Sequence, residues 1–126
     1  MIDTKRLREV IKICDSLDPN DDFGIEKCWD EMIEILSCDV SETISYFNND
    51  CTDEDFYLLS NLFEDIVEKT QCAELIKVFK NRLAKVEPET YSQENFESAF
   101  MRKHATYDDY VRTITMEIGY GEARLG

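Results

Sequence analysis

The chain has 126 residues, of which 43% are hydrophobic, and its 28 acidic residues exceed its 14 lysines and arginines by enough to give a formal net charge of −14. The hydrophobic fraction and the seven Phe, six Tyr and one Trp argue against an intrinsically disordered chain. The negative charge argues against nucleic acid or anionic lipid as a direct ligand, because both require a basic surface. A macromolecular partner is therefore expected to be basic.

Turn-forming residues are scarce, with four Gly and two Pro among 126 residues. Long segments rich in Glu, Lys, Leu and Ile favour helices over short strands. We expect an all-α fold of six or seven antiparallel helices in one domain spanning residues 1–126, arranged as a compact stack of helical hairpins or a short solenoid-like array. No apolar run is long enough to cross a membrane, and the charged N-terminus is unlike a signal peptide, so neither membrane spanning nor export is expected.

Three helices are predicted in the first fifty residues. The first spans residues 4–17 and begins after Asp3, a good N-cap residue. The second spans residues 25–37, and the third is a short helix in the segment 39–47. Their inward faces are apolar residues at helical spacing: Leu7, Val10, Ile11, Cys14 and Leu17, then Ile25, Cys28, Trp29, Met32 and Leu36, then Val40, Ile44 and Phe47.

Four more helices are predicted after residue 50. Thr52 caps a fourth helix that continues to Lys69, and a fifth spans residues 71–86 before Pro88 stops it. A sixth helix starts near Ser92 and has Phe96, Ala99 and Phe100 as its inner face. Thr106 caps a seventh, although residues 105–120 alternate well enough to form a strand instead. Residues 119–126 are predicted to be a flexible tail.

The sequence contains few residues suited to catalysis. His104 is the sole histidine, and no nucleophile elbow, zinc-protease motif, phosphate-binding loop or dinucleotide fingerprint is present. The five cysteines show no CxxC spacing and are interpreted as small buried side chains of a cytoplasmic protein. A cysteine paired with His104 is the remaining enzymatic alternative. We therefore expect a protein that is not an enzyme and has no cofactor.

Metal binding is also not expected. Residues 18–29 superficially match a calcium-binding loop, because Asp18, Asn20 and Asp22 occupy alternate positions. Phe23, however, stands where the loop requires glycine, and Trp29 stands where it requires a bidentate glutamate. The carboxylate-rich helices also lack the Glu-x-x-His motifs of di-metal bundles.

The acidic residues are concentrated in residues 21–70, which contain 15 acidic residues against Lys27 and Lys69, a net charge of −13. The rest of the chain contains 13 acidic and 12 basic residues. A helical wheel places Tyr46 and Tyr57 on the outer faces of this segment, where tyrosine supplies contact area and carboxylates steer a basic partner. Alternatively, the tyrosines cover neighbouring helices and the acids only keep the protein soluble.

The candidate partner-binding residues are acidic or aromatic and lie on the second to fourth predicted helices: Asp22, Glu26, Asp30, Glu34, Tyr46, Asp53, Tyr57, Glu64 and Glu68. Glu26 and Asp30 lie at the centre of this predicted surface. Because a step of four residues drifts about 40° around a helix, the row from Asp22 to Glu34 cannot form one flat stripe. Tyr57 is the candidate aromatic anchor.

Three segments resemble the small helical immunity proteins of bacterial polymorphic toxin systems, including contact-dependent growth inhibition. They are CWDEMIEIL at Cys28–Leu36, NLFEDIVEKTQCAELIKVF at Asn61–Phe79, and KVEPE at Lys85–Glu89. The resemblance implies a cytosolic, non-catalytic protein that binds one cognate toxin domain, often a nuclease, and blocks its active site or substrate surface. A helical adaptor for another basic cytosolic protein is the alternative.

Overall fold

Eight α-helices and two short helical turns of other types form the computed structural model, which describes residues 2–126 and contains no strand within them. The all-α prediction is therefore confirmed. The helices are α1 (Thr4–Ser16), α2 (Asp22–Ser37), α3 (Val40–Ser45), α4 (Asp53–Ser60), α5 (Phe63–Thr70), α6 (Ala73–Ala84), α7 (Ala99–His104) and α8 (Tyr107–Glu122).

The predicted helix caps are present as hydrogen bonds. The Asp3 carboxylate accepts from the backbone N–H of Arg6 at 2.9 Å, and the Thr52 hydroxyl accepts from that of Asp55 at 3.1 Å. Thr106 begins α8 in the same way, at 3.3 Å from the Asp109 nitrogen. The segment that alternated enough for a strand is therefore a helix, and this cap stabilises its N-terminus.

The single helix predicted from Thr52 to Lys69 is wrong, because the chain bends at residues 61–62 and continues as α5. The Ser60 hydroxyl donates to the Tyr57 carbonyl at 2.6 Å, a local bond that competes with the helical ladder. The backbone then tightens, with the Leu62 N–H donating to the Leu59 carbonyl at 2.9 Å. The bend places Leu62 and Phe63 in the core together.

The third predicted helix begins as α3 and ends as a π-helical turn at Tyr46–Asp50. In this turn the Cys51 N–H donates to the Tyr46 carbonyl, five residues back, at 2.9 Å. Tyr46 itself has α-helical backbone angles and lies three residues after the buried Thr43, so the buried face of this helix is centred on Thr43 and not on Ile44. The outward position predicted for Tyr46 is wrong, since its side chain is buried at 3% exposure beside the buried Phe47.

The sixth predicted helix is shorter than expected. Residues Gln93–Asn95 form a 3₁₀ turn, and α7 begins only at Ala99. The Glu54 carboxylate of α4 accepts from the backbone N–H groups of Glu97 and Ser98, both at 2.8 Å, and holds this stretch in a non-helical conformation. Phe96 is buried as predicted, but Ala99 and Phe100 are exposed.

The centre of the core is a group of phenylalanine rings from four elements: Phe47, Phe56, Phe63 and Phe79. Phe63 and Phe79 stack with ring centroids 3.8 Å apart, and Phe47 packs edge-on against Phe79 at 5.2 Å. Helix α8 packs against α4, α5 and α6. Gly121 allows this close approach, because a Cβ there would lie 3.4 Å from the Phe63 carbonyl oxygen.

The predicted flexible tail begins inside α8, which extends to Glu122. Gln71, which ends α5 in the left-handed conformation with φ of 52°, contacts the residues that follow α8. Its side-chain amide donates to the Arg124 carbonyl at 2.9 Å and accepts from the Gly126 N–H at 2.9 Å. These bonds place the C-terminus beside α5, next to the acidic residues described below.

Candidate partner-binding surface

Helices α2 and α5 pack side by side and bring acidic residues of the predicted surface together. Glu34 of α2 forms an ion pair with Lys69 of α5. One turn earlier on each helix, Asp30 lies close enough to Asp65 to raise the pKa of its carboxyl. Two stretches separated by more than thirty residues in sequence therefore share one surface.

Helix α8 extends this surface on the other side of α5. Glu117 of α8 lies near Glu64 and Asp65, whose charges act on its carboxyl. The Arg124 guanidinium bridges Glu64 and Glu68, donating from Nε to Glu64 at 2.9 Å and lying 2.9 Å from Glu68. We call this set of residues the acidic surface: Asp30, Glu34, Glu64, Asp65, Glu68 and Glu117.

The carboxylates of the acidic surface repel one another. Partial burial raises the pKa of Asp65, and the charges of Glu64 and Glu68 raise it further, while Arg124 opposes the shift. Partial burial likewise raises the pKa of Glu117, as do the charges of Glu64 and Asp65. Both shifts mean that the folded chain disfavours the ionised forms of these two carboxyls, which costs free energy at neutral pH. A basic group docked here would reduce that cost.

Two predicted residues lie on α2 before the acidic surface. Asp22 is in the first turn of the helix, and Glu26 lies one turn before Asp30. Both are solvent-exposed, so they extend the negative charge of Asp30 toward the helix N-terminus. Five of the six predicted acids on α2 and α5 are exposed, namely Asp22, Glu26, Asp30, Glu34 and Glu68, whereas Glu64 is half-buried and bonded to Arg124.

The structure does not bring the other three predicted residues to this surface. Asp53 accepts a hydrogen bond from Arg82 at 2.6 Å and so belongs to a partly buried ion pair. Tyr57 stacks on the buried Tyr110 with ring centroids 5.4 Å apart, so much of its ring covers a neighbouring helix. Tyr46 is buried, as described above. Within the described residues, the tyrosine positions fit the alternative interpretation as packing residues.

The exposed aromatic residues of the acidic segment are Phe23 and Trp29 of α2. Phe23 is 80% exposed, and Trp29 is 38% exposed although its spacing predicts a core position. The prediction for Trp29 is wrong because Met32 and Cys28 lie at the contact with the rest of the core, which leaves Trp29 at its edge. Its side chain lies beside the Cys14 thiol of α1.

A cleft of about 230 Å³ lies between α1, α4 and the segment before α7. Three of its four carboxylates, those of Asp53, Glu54 and Asp55, already have partners within the chain. Asp55 is buried and accepts from Arg8 at 2.9 Å, and Glu54 holds the two backbone N–H groups of residues 97 and 98. The cleft therefore offers a partner fewer available charges than the acidic surface does.

The side chains suited to catalysis are distributed as follows. His104 is exposed, and its ring lies 4.6 Å from that of Phe100. Burial raises the pKa of Cys14, and raises that of Cys51 to about 12, which makes both thiols weaker nucleophiles at neutral pH. Cys28 and Cys51 are buried as predicted, whereas Cys38 is exposed at the end of α2.

Residues 2–126, the part of the chain that the structure describes, contain no group of three or more histidine, cysteine or acidic side chains placed to hold a metal ion. None of their helices has the length and hydrophobicity needed to span a membrane.

Sequence reasoning missed Asp65, Glu117, Phe23 and the exposure of Trp29. Asp65 could have been found from its spacing to Glu68, since residues three apart on a helix share a face. Phe23 could have been found from its position two residues after the N-cap Asp21, because the first turn of a helix is commonly exposed. Glu117 carries no such signal, because its nearness to α5 depends on how α8 packs.

Comparison of the chain with protein-family models, with curated proteins and with solved structures finds no match in any of the three.

Proposed function

We propose that this protein is a non-catalytic cytoplasmic immunity protein that binds and neutralises a basic toxin domain, most simply a nuclease, through the acidic surface. The observation that carries the proposal is the clustering of Asp30, Glu64, Asp65 and Glu117 with raised carboxyl pKa values at Asp65 and Glu117. Partial burial and the repulsion between neighbouring carboxylates both disfavour the ionised forms and lower the stability of the isolated protein, and a basic partner would relieve the repulsion.

The chemistry of nucleases favours this partner class. A nuclease must attract phosphate groups, so the face that binds its substrate is basic. A rigid helical surface with several carboxylates presents comparable negative charge and competes for that face. Long-range attraction also speeds the encounter, by about 10-fold or more at low salt. Fast capture suits a protein that must neutralise a toxin before the toxin acts.

The test uses the product of the neighbouring gene. The two proteins are co-expressed and co-purified, and the purified toxin domain is assayed on DNA and RNA with and without this protein. Formation of a stoichiometric complex that abolishes nucleic-acid cleavage supports the proposal. A stable complex that leaves every toxin activity unchanged points instead to the helical adaptor. Failure to form any complex contradicts the immunity function.

Charge reversal on α2 tests the electrostatic mechanism. The variant carries Glu26→Lys and Asp30→Lys together. Both positions are exposed in the folded chain, so the helix is expected to fold normally. We expect its association rate with the toxin domain to fall by about 10-fold or more at low salt and to approach that of the wild type as salt is raised. Stopped-flow kinetics over a salt series measures this change.

The matched control is the double variant Glu89→Lys with Glu94→Lys. These acids are also exposed but lie between α6 and α7, and the variant changes the net charge by the same amount. The control should associate at nearly the wild-type rate. Equal loss in both double variants would show that net charge, and not the acidic surface, controls the encounter.

A further inference from the structure

The first two turns of α2 expose two large aromatic side chains among acids. Phe23 is 80% exposed and Trp29 is 38% exposed. Glu26 lies three residues after Phe23 and three before Trp29, and this spacing places neighbours on the same side of a helix. Asp22, Glu26 and Asp30 around them are all exposed.

The local structure of α2 does not require an aromatic residue at position 23. Asp21 caps the helix through a 2.9 Å hydrogen bond from the Gly24 N–H. A hydrophobic staple would pair the residue before the cap with the residue four positions after it, and the residue before the cap is the polar Asn20. The first turn of a helix instead favours acidic side chains. The exposed ring of Phe23 therefore fits a role outside the folded chain.

Trp29 is well placed to act as a contact residue. Its side chain lies beside the Cys14 thiol of α1, while more than a third of the residue remains accessible. Tryptophan and other aromatic residues are also enriched among the residues that contribute most to protein interfaces.

We infer that Phe23 and Trp29 are the apolar anchors of the contact, and that the partner is a basic protein domain with apolar pockets flanked by lysine or arginine side chains. This inference rests on the proposed function. Charge complementarity selects the occupant, because Asp22, Glu26 and Asp30 surround the two rings. A second copy of the chain is disfavoured, since it carries the same net charge of −14.

The two kinds of residue should affect different steps of binding. Exposed charges act at long range and set the association rate and its salt dependence. Buried aromatic anchors act after docking and set the dissociation rate. For Phe23→Ala and for Trp29→Ala we expect dissociation to be about 10-fold faster or more, with the association rate and its salt dependence near those of the wild type.

The experiment uses the full chain and the purified product of the neighbouring gene, which the proposed function identifies as the toxin domain. Surface plasmon resonance gives both rate constants for the wild type, Phe23→Ala and Trp29→Ala. The matched control is Phe100→Ala, because Phe100 is 67% exposed but lies on α7. Circular dichroism checks that each variant is folded. Hydroxyl-radical footprinting of the wild type with and without the toxin domain requires no variant to fold.

The inference predicts that Phe23 and Trp29 become protected from oxidation in the complex while Phe100 does not. One outcome overturns the anchor inference and leaves the proposed function standing. In that outcome the complex forms and the charge-reversed variant associates slowly, but neither aromatic side chain is protected and both alanine variants dissociate at the wild-type rate. If no complex forms with the toxin domain, both are overturned.

Discussion

Asp53 is the first residue of α4, and Asp65 lies in the first turn of α5. The fold gives these two carboxylates different surroundings. Asp53 accepts a hydrogen bond from Arg82, whose guanidinium also donates to the Cys51 carbonyl at 2.9 Å and lies over the Phe56 ring. Asp65 is flanked by Glu64 and Glu68. An acid that is paired within the chain stabilises the fold, whereas an acid surrounded by acids is available to a partner.

Replacing Asp65 with asparagine should stabilise the isolated protein at neutral pH. The folded chain raises the pKa of this carboxyl above its ordinary value of 3.8, so its ionised form is disfavoured in the native state. Above the raised pKa we expect Asp65→Asn to increase the free energy of unfolding by about 0.5 kcal/mol. As pH falls through the raised pKa toward the unfolded value, the wild-type carboxyl gains its proton in the folded state first, and the difference between the two proteins shrinks.

Urea denaturation at several pH values measures this difference. Glu89→Gln serves as the control, because that acid is exposed between α6 and α7. A stabilisation by Asp65→Asn that is unchanged at low pH would show that the ionised carboxyl, which partial burial and the neighbouring charges disfavour, is not its cause.

At the scale of elements, side chains from one helix decide where another begins. The Glu54 carboxylate binds the N–H groups of Glu97 and Ser98, and this contact separates the 3₁₀ turn from α7. Ser98 then caps α7, accepting from the Met101 N–H at 3.4 Å. The segment around Phe96 is therefore positioned by α4, more than forty residues earlier in the chain.

Loss of the Glu54 carboxylate should loosen this segment. Two hydrogen bonds to a charged group, at about 1.5–3 kcal/mol each, would contribute about 3–6 kcal/mol if they were fully buried. Because Glu54 is half-buried and the amide of Glu97 is exposed, water replaces part of what is lost, and we expect Glu54→Ala to lower the free energy of unfolding by about 2–3 kcal/mol. Hydrogen exchange should accelerate at the amides of residues 97 and 98. Glu94→Ala, a change at an exposed acid in the same region, should leave both amides protected. Unchanged exchange in Glu54→Ala would contradict the role assigned to this contact.

At the scale of the whole molecule, the charge is unevenly distributed. The acidic residues 21–70 form α2 to α5, and the balanced remainder supplies α1, α6, α7 and α8. Packing then places Arg124 and Lys69 against the acidic surface as its contacting cations. These two bases offset only part of the charge of six carboxylates, so repulsion persists in the folded protein.

Salt should therefore stabilise this protein. Raising the ionic strength from about 10 mM to about 150 mM shortens the screening length from about 30 Å to about 8 Å and weakens the repulsion. We expect the Tm to rise by about 3 °C, which corresponds to roughly 1 kcal/mol for a domain of this size. The increase should be smaller in the double variant Glu26→Lys with Asp30→Lys. A Tm that falls or stays constant with salt would show that favourable ion pairs outweigh the repulsion.

Local sequence signals determined the class of the fold and many of its boundaries. Few glycines and prolines, helical spacing of apolar residues and the caps Asp3, Thr52 and Thr106 depend on neighbours within one or two turns, so they can be recognised in the sequence. The acids of α2 and α5 were found in the same way, because charge is a property of composition.

The tertiary structure decided which of these residues face solvent and which meet. The contact of Glu54 with residues 97 and 98 joins distant segments, which local spacing cannot anticipate. The bend after Ser60 and the π-helical turn at Tyr46 involve local hydrogen bonds, but the spacing of the apolar residues does not indicate either of them. Packing likewise buried Tyr46, paired Asp53 with Arg82, left Phe23 and Trp29 accessible and brought Asp30, Asp65 and Glu117 together. Helical spacing shows which side chains share a face, but burial of that face depends on the helix that packs against it.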